Sequence, residues 1–273
     1  MESDILLDYA AHSLIKSFEG YGAKFRFNKF MYLLDNELKT SDIDIKLPYY
    51  WYRYGVVVDD SERFFALKES SIDPESIPKG IKNKIDKAIN SLMKKSRFKS
   101  TNDINKEIYK KAPFPIQEDF RKLLKTMKPW REENQTSLNC FFEIPSNDVM
   151  VLIKKSLIDY PENHFNEIYP LFLEWNNYLC GLLNNNYPKK DTALFVDTFW
   201  FTFAKKLRLV TEQNIDKKTI KIWDKNYSKD LSNFENYLFD FSFTFYPEYC
   251  EQTQITESNQ ELHYLASKII WEK

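Results

Sequence analysis

A mainly α-helical fold is predicted, with an N-terminal winged-helix-like module carrying a short β wing and then a larger aromatic-rich helical domain. Three features point to it. Apolar side chains recur at helical spacing in about ten separate stretches. A single dense aromatic and β-branched run, Tyr49 to Val58, has strand character. Glycine is scarce, 5 residues in 273, while Phe and Tyr number 22 and 17. That scarcity argues against glycine-rich phosphate loops and dinucleotide-binding turns, which need clustered glycines for backbone to approach phosphate. With 43% hydrophobic residues the chain has ample material for a packed core.

The first helix spans residues 4 to 18: Ser3 and Asp4 offer an N-cap, and Leu6, Ala10, Leu14 and Phe18 recur every fourth residue. Its His12 reads as a partly buried polar residue, because no nucleophile or second ligand lies nearby in sequence. After Gly20-Tyr21-Gly22, a second helix follows from Phe27, Phe30, Met31, Leu34 and Leu38, which share one face. Pro48 then leads into Tyr49-Tyr50-Trp51-Tyr52-Arg53-Tyr54-Gly55-Val56-Val57-Val58. Gly55 marks a bend or a close backbone approach within that strand, since glycine alone takes positive φ without steric cost.

These residues carry a resemblance. Arg26-Phe27-Asn28-Lys29-Phe30-Met31-Tyr32-Leu33-Leu34-Asp35 resembles the Lys, apolar pair, Tyr-Leu helix of the Panacea domain, the SocA-like antitoxin family. Trp51 to Val57 resembles that family's aromatic-Gly-Pro-Val segment, with Val56 standing where the family has proline. The likeness covers about residues 5 to 70. It implies a small winged-helix-like module, in a prokaryotic or phage protein, that binds a partner, often a toxin; it implies no active site.

Beyond the strand, Asp59-Asp60-Ser61 is turn-forming, and the two adjacent carboxylates read as solvated turn residues rather than a metal site. Arg63 to Leu67 fits either a returning strand or a short helix. Residues 70 to 78, with two prolines, form the expected linker between a module at 1–72 and a helical domain at 79–273. In that domain, helices are expected from Lys79 (Ile81, Ile85, Ala88, Ile89, Leu92), over Thr101 to Lys111, and from Ile116 to Met127. A break over Pro129 to Gln135 and a short strand over Leu138 to Ile144 follow. Ser146-Asn147-Asp148 caps the next helix. Residues 162 to 184 form a helical stripe that Pro170 should kink or split, and His164 beside Glu162 and Glu167 lacks a second histidine in register. Asp191 opens a very apolar helix through Val196, Phe199, Trp200 and Phe203, closed by Lys205-Lys206-Leu207-Arg208 at the negative end of its dipole. A short helix around Ile220 and Trp223, a separate one from Ser228 through Leu231, Phe234, Leu238 and Phe241, and a last helix after the capping box Ser258 to Glu261 complete the chain.

The net charge of -1 conceals two segments of opposite sign. Residues 79–131 hold 16 Lys and Arg against five acids; residues 230–267 hold seven acids and no Lys or Arg. Cys140, Cys180 and Cys250 form no CxxC pair and read as reduced thiols. An acidic start and no long apolar run point to a soluble cytoplasmic protein without a membrane partner. No cofactor motif and no local catalytic constellation is present in the sequence.

Three functions are compatible with these features. The favoured one is a non-enzymatic regulatory or defence-associated protein, antitoxin-like or an adaptor, that grips a protein partner through Tyr50, Trp51, Tyr52, Arg53 and Tyr54, since Tyr, Trp and Arg anchor interfaces. The second is a nucleic-acid-binding regulator contacting phosphate through Lys24, Arg26, Lys29, Arg53, Lys82, Lys84, Lys94, Lys95, Arg97 and Lys99. Against it stands the reading of the basic span as a solvated face or an internal mate for the acidic one. The third is a metal-dependent nuclease or other hydrolase with carboxylates gathered from distant positions.

Overall fold

A computed structural model describes residues 2–18, 23–67, 74–97, 99–131, 146–185 and 187–244. Within them the chain folds mainly into α-helices, with one two-stranded antiparallel sheet. The expected strand at 138–144, the helix after 258, residues 70–73 of the linker and two of the cysteines, Cys140 and Cys250, lie outside the described residues.

Helices α1 (Glu2–Lys16) and α2 (Ala23–Lys39) pack together and against α4 (Lys79–Ser96). All five residues of the α2 apolar face are buried, and Tyr9 on α1 donates to Asp86 on α4 at 2.6 Å. The run after Pro48 reverses on itself. β1 (Tyr49–Tyr52) pairs with β2 (Gly55–Val58), Tyr52 opposite Gly55, leaving Arg53 and Tyr54 as a two-residue tip. Expected as one strand bent at Gly55, the segment is a hairpin. The positive φ that a tight reversal needs falls on Gly55, at 95°, and on neither tip residue. Arg63 to Leu67, open between strand and helix in sequence, lies mostly in α3 (Ser61–Ala66).

Four short elements follow. α5 (Thr101–Tyr109) is capped by Ser100, whose side chain accepts from the Asp103 N–H; α6 (Ile116–Thr126) packs on α8 (Ser146–Ile158). Asp119 of α6 is buried in that contact, 3.1 Å from Lys155, and burial pushes its carboxyl up to about 6. The break expected at Pro129 instead holds a single turn, α7 (Lys128–Arg131), because proline in a first turn gives up no hydrogen bond. The same reason puts Pro170 at the start of α9 (Tyr169–Asn184), so the stripe at 162–184 splits there rather than kinking.

α10 (Lys189–Thr211) is the central element, touching β1, α6, α7, α9 and α11 (Lys217–Thr244). Its buried rings form a continuous aromatic stack with their neighbours. Phe120 lies on Trp200 at 4.5 Å and 8°, and Trp175 on Phe199 at 4.7 Å, offset arrangements that add to the burial of each ring. The two helices expected on either side of residue 226 are one, α11. Tyr227, buried, carries the apolar stripe from Trp223 to Phe234 across the polar residues between them. The core runs without interruption from α1 and α2 through the hairpin to α9, α10 and α11.

β1 is locked between β2 and the end of α10. Tyr49 and Gln213 exchange backbone hydrogen bonds of 3.1 and 2.8 Å, and the Trp51 N–H donates to Thr211 Oγ1 at 2.9 Å. A methyl built on Gly55 would stand 3.1 Å from Lys29 Nζ and would have to tolerate φ 95°. Gly55→Ala is therefore expected to lower stability by about 1–3 kcal/mol, read from the urea midpoint; an unchanged midpoint would show that the turn is not under this constraint.

Candidate functional site

The tip of the hairpin is held from three sides. Lys29 of α2 is 3% exposed, and its Nζ donates to the carbonyls of Tyr54 and Val56, at 2.8 and 2.7 Å. Trp200 of α10 donates its indole N–H to the Arg53 carbonyl at 3.2 Å, and the Tyr109 hydroxyl of α5 reaches the same oxygen at 3.4 Å. The far end is tied as well: the Val58 N–H donates to Asn28 Oδ1 at 2.9 Å. Burial pushes the Lys29 amine down to about 7. Its charge put Lys29 among expected phosphate contacts, yet its side chain lies behind the hairpin and meets backbone oxygen.

Trp51, expected at a partner surface, is 2% exposed and forms edge contacts with Tyr32 and Tyr109 in the core. It faces inward because strand residues alternate and its neighbours Tyr50 and Tyr52 take the other face. Those two are half-buried, Tyr50 against Trp223 at 4.7 Å and Tyr52 5.9 Å from the Arg208 guanidinium. Tyr54 projects from the tip, 64% exposed. Of the five residues proposed for a partner, Arg53 and Tyr54 thus form the outward end and Trp51 forms the buried root.

Around this tip lies a strip that joins four elements. Arg131 of α7 grips Asp197 of α10 with two donors, Nε at 2.9 Å and Nη2 at 3.2 Å, and Arg53 approaches the same carboxylate at 3.5 Å. The Arg53 guanidinium also lies 5.5 Å from the Tyr54 ring centre and 5.4 Å from that of Phe201, which is 39% exposed. Lys205 sits 4.0 Å over the Phe201 ring and pairs with Asp230 of α11. Arg208 is stacked 4.7 Å from Trp223, and burial holds its pKa below the ordinary arginine value. Cation, carboxylate and aromatic ring alternate along the strip.

Sequence reasoning missed Arg131, Asp197, Phe201, Lys205 and Arg208. One signal was available. Leu194, Asp197, Phe201, Lys205 and Arg208 follow one another at intervals of three or four, so α10 has a second, polar-aromatic face beside its buried one.

The basic residues expected at phosphate separate from this strip. Lys84, Lys94 and Lys95 are exposed on α4, a helix seated on α1 and α2; Arg97 follows it, also exposed, and Lys82 lies 5.6 Å from the Tyr9 ring. Lys84 reaches the Ser41 carbonyl at 3.4 Å, and Lys99 pairs with Glu107. Arg26 is half-buried on α2, and Lys24 lies in that helix's first turn. Within the acidic segment, Asp230 is paired with α10 rather than with residues 79–131.

His164 lies against Phe114 at 5.0 Å, and Asp60 begins α3 in a left-handed conformation, a turn residue as its sequence suggested. Among the described residues no group of three or more His, Cys, Asp or Glu side chains converges to hold a metal, and no helix is long and apolar enough to cross a membrane. Compared with protein-family models, with curated proteins and with solved structures, the chain matches none.

The lowered Lys29 pKa has a testable sign. Between about 7 and the ordinary 10.5 the unfolded chain keeps a proton that the folded chain gives up, so stability rises with pH across that window. Urea unfolding of the wild type from pH 7 to 9.5 should show this rise relative to Lys29→Met. The variant itself should be about 2–4 kcal/mol less stable, since two carbonyls lose their donor; parallel pH profiles would refute the account.

Proposed function

We propose that this chain is a non-enzymatic binding protein, antitoxin-like or an adaptor in regulation or defence, that acts by gripping a protein partner with the hairpin tip and the neighbouring face of α10. In this reading α2 and the hairpin act as a winged-helix-like module whose wing is the 49–58 hairpin, in line with the Panacea-like residues Lys29, Tyr32, Trp51 and Gly55. The supporting observation is the tip itself. Three donors from α2, α5 and α10 fix its carbonyls, and it displays Tyr54 and Arg53 beside Phe201. A backbone fixed in advance adds little ordering entropy on binding, and Tyr and Arg are common interface anchors. Blocking or recruiting the partner would follow from occupancy of that face.

A second reading, nucleic-acid binding, is favoured by one observation: Lys84, Lys87, Lys94 and Lys95 lie exposed on α4, while its one acid, Asp86, is bonded to Tyr9. Lysines arranged this way attract phosphate with little base readout.

A pull-down from native lysate at moderate salt, half of it nuclease-treated, separates the two when wild type is compared with Tyr54→Ala/Phe201→Ala and with Lys94→Glu/Lys95→Glu. Protein binding by the tip predicts a nuclease-resistant partner whose recovery falls at least about tenfold in the first variant and stays unchanged in the second. Recovery that depends on nucleic acid and on Lys94 and Lys95 would transfer the function to α4.

A further inference from the structure

We infer that the partner contacts this face through an acidic peptide segment, two carboxylates flanking an apolar side chain, that docks along the strip from Arg131 and Arg53 to Lys205. The inference rests on the reading of the hairpin tip as the binding face, and three observations carry it.

The strip has a charge mismatch that a small number of carboxylates would cancel. Among the described residues, four cations, Arg53, Arg131, Lys205 and Arg208, face two carboxylates, Asp197 and Asp230, an excess of two positive charges. Two carboxylates match this excess, and arginine takes a carboxylate in a bidentate fork.

Arg53 is the underused member. Its guanidinium carries five N–H donors, yet its contact with Asp197 is long, 3.5 Å; its Nε is buried without an acceptor among the described residues, so an incoming carboxylate would meet the terminal Nη groups. The competing Arg131 already takes both oxygens of Asp197 at 2.9 and 3.2 Å. That bidentate pair shows the strip accepting a carboxylate in the fork geometry arginine favours. A second carboxylate arriving from a partner would give Arg53 the close acceptor that Asp197 does not.

The rings around these cations argue for a peptide over a stacked base. Phe201 is engaged by Lys205 at 4.0 Å and by Arg53 at 5.4 Å, and Tyr54 by Arg53 at 5.5 Å. Bases of single-stranded nucleic acid stack on open aromatic faces; here cations lie against the rings, leaving edges suited to an apolar side chain set between two acids.

Fluorescence anisotropy on the full chain tests this with three labelled probes: a short peptide with a Glu-Leu-Glu core, its Gln-Leu-Gln twin, and an oligothymidylate. The Glu peptide should bind at least about tenfold more tightly than the Gln twin, and Arg53→Gln/Arg131→Gln should erase the difference. Asp197→Asn should tighten the Glu peptide several-fold, because it frees both arginines from their internal acceptor. That gain of affinity cannot come from a misfolded variant, and Lys205→Gln supplies a second loss at a separate position. Equal binding of the two peptides, no binding of the Glu peptide at millimolar concentration, or preference for the oligothymidylate through the same arginines would each overturn the inference. Its failure is distinct from failure of the underlying reading. Partner capture that needs Tyr54 and Phe201 but ignores the arginine variants sinks the acidic segment alone, whereas capture indifferent to all four residues sinks the binding face.

Discussion

The buried amine of Lys29 behind the hairpin turn is the contact on which the rest of this structure depends. A two-residue tip made of Arg53 and Tyr54 has no intrinsic preference for reversal, since neither is a turn former and neither takes positive φ. The reversal is therefore held by tertiary donors: Lys29 on the Tyr54 and Val56 carbonyls, Trp200 and Tyr109 on that of Arg53. Gly55 leaves the gap through which the amine approaches, 3.1 Å from where a methyl would stand. Because the three donors come from α2, α5 and α10, the hairpin forms fully only when those helices are assembled. It also ties them to one another.

That dependence explains what was legible in the sequence. The α2 face, the α4 face and the α9 and α10 stripes could be read because each is a local period of buried apolar residues, and burial follows the period. The hairpin could be seen as β structure from its aromatic and β-branched content, but its reversal could not. No Asn-Gly or Asp-Gly pair announces it, because the closing hydrogen bonds come from residues 25 positions before it and 147 after it. Lys29 gave no sign of its destination either. Its charge made it look like a phosphate contact and it lies on the side of α2 away from the Phe27, Phe30, Met31, Leu34 and Leu38 face, but that side is buried as well, at Tyr32 and Leu33. The continuity of α11 was hidden by a similar conflict: Asp224, Lys225, Asn226, Ser228 and Lys229 read as a break, and the buried Tyr227 among them carries the helix through.

The face around the tip was less legible still, and for a reason of geometry. Arg53, Arg131, Asp197, Phe201 and Lys205 come from the hairpin, α7 and α10, and nothing in their separate surroundings links them. α10 brings them together by having two working faces. Phe199, Trp200 and Phe203 build the core, and Asp197, Phe201 and Lys205, offset by one or two residues, line the strip. Aromatic density identified the helix as central but obscured the difference between an inward and an outward phenylalanine.

Core and surface on α10 are coupled through Trp200. Its ring is stacked on Phe120 within the aromatic core, while its indole N–H holds the Arg53 carbonyl at the base of the tip. The backbone that presents Arg53 and Tyr54 is therefore fixed by the same side chain that packs the centre of the molecule. In the proposed binding role, a partner meeting that tip would find the turn already ordered, and binding would order few groups beyond the side chains of Arg53 and Tyr54 themselves. The rigidity also sets a limit. A tip pinned by Lys29, Tyr109 and Trp200 has little room to remodel, so in the proposed role selectivity would have to come from charge and shape already present, of which the alternation of arginine, carboxylate and ring along α10 offers both.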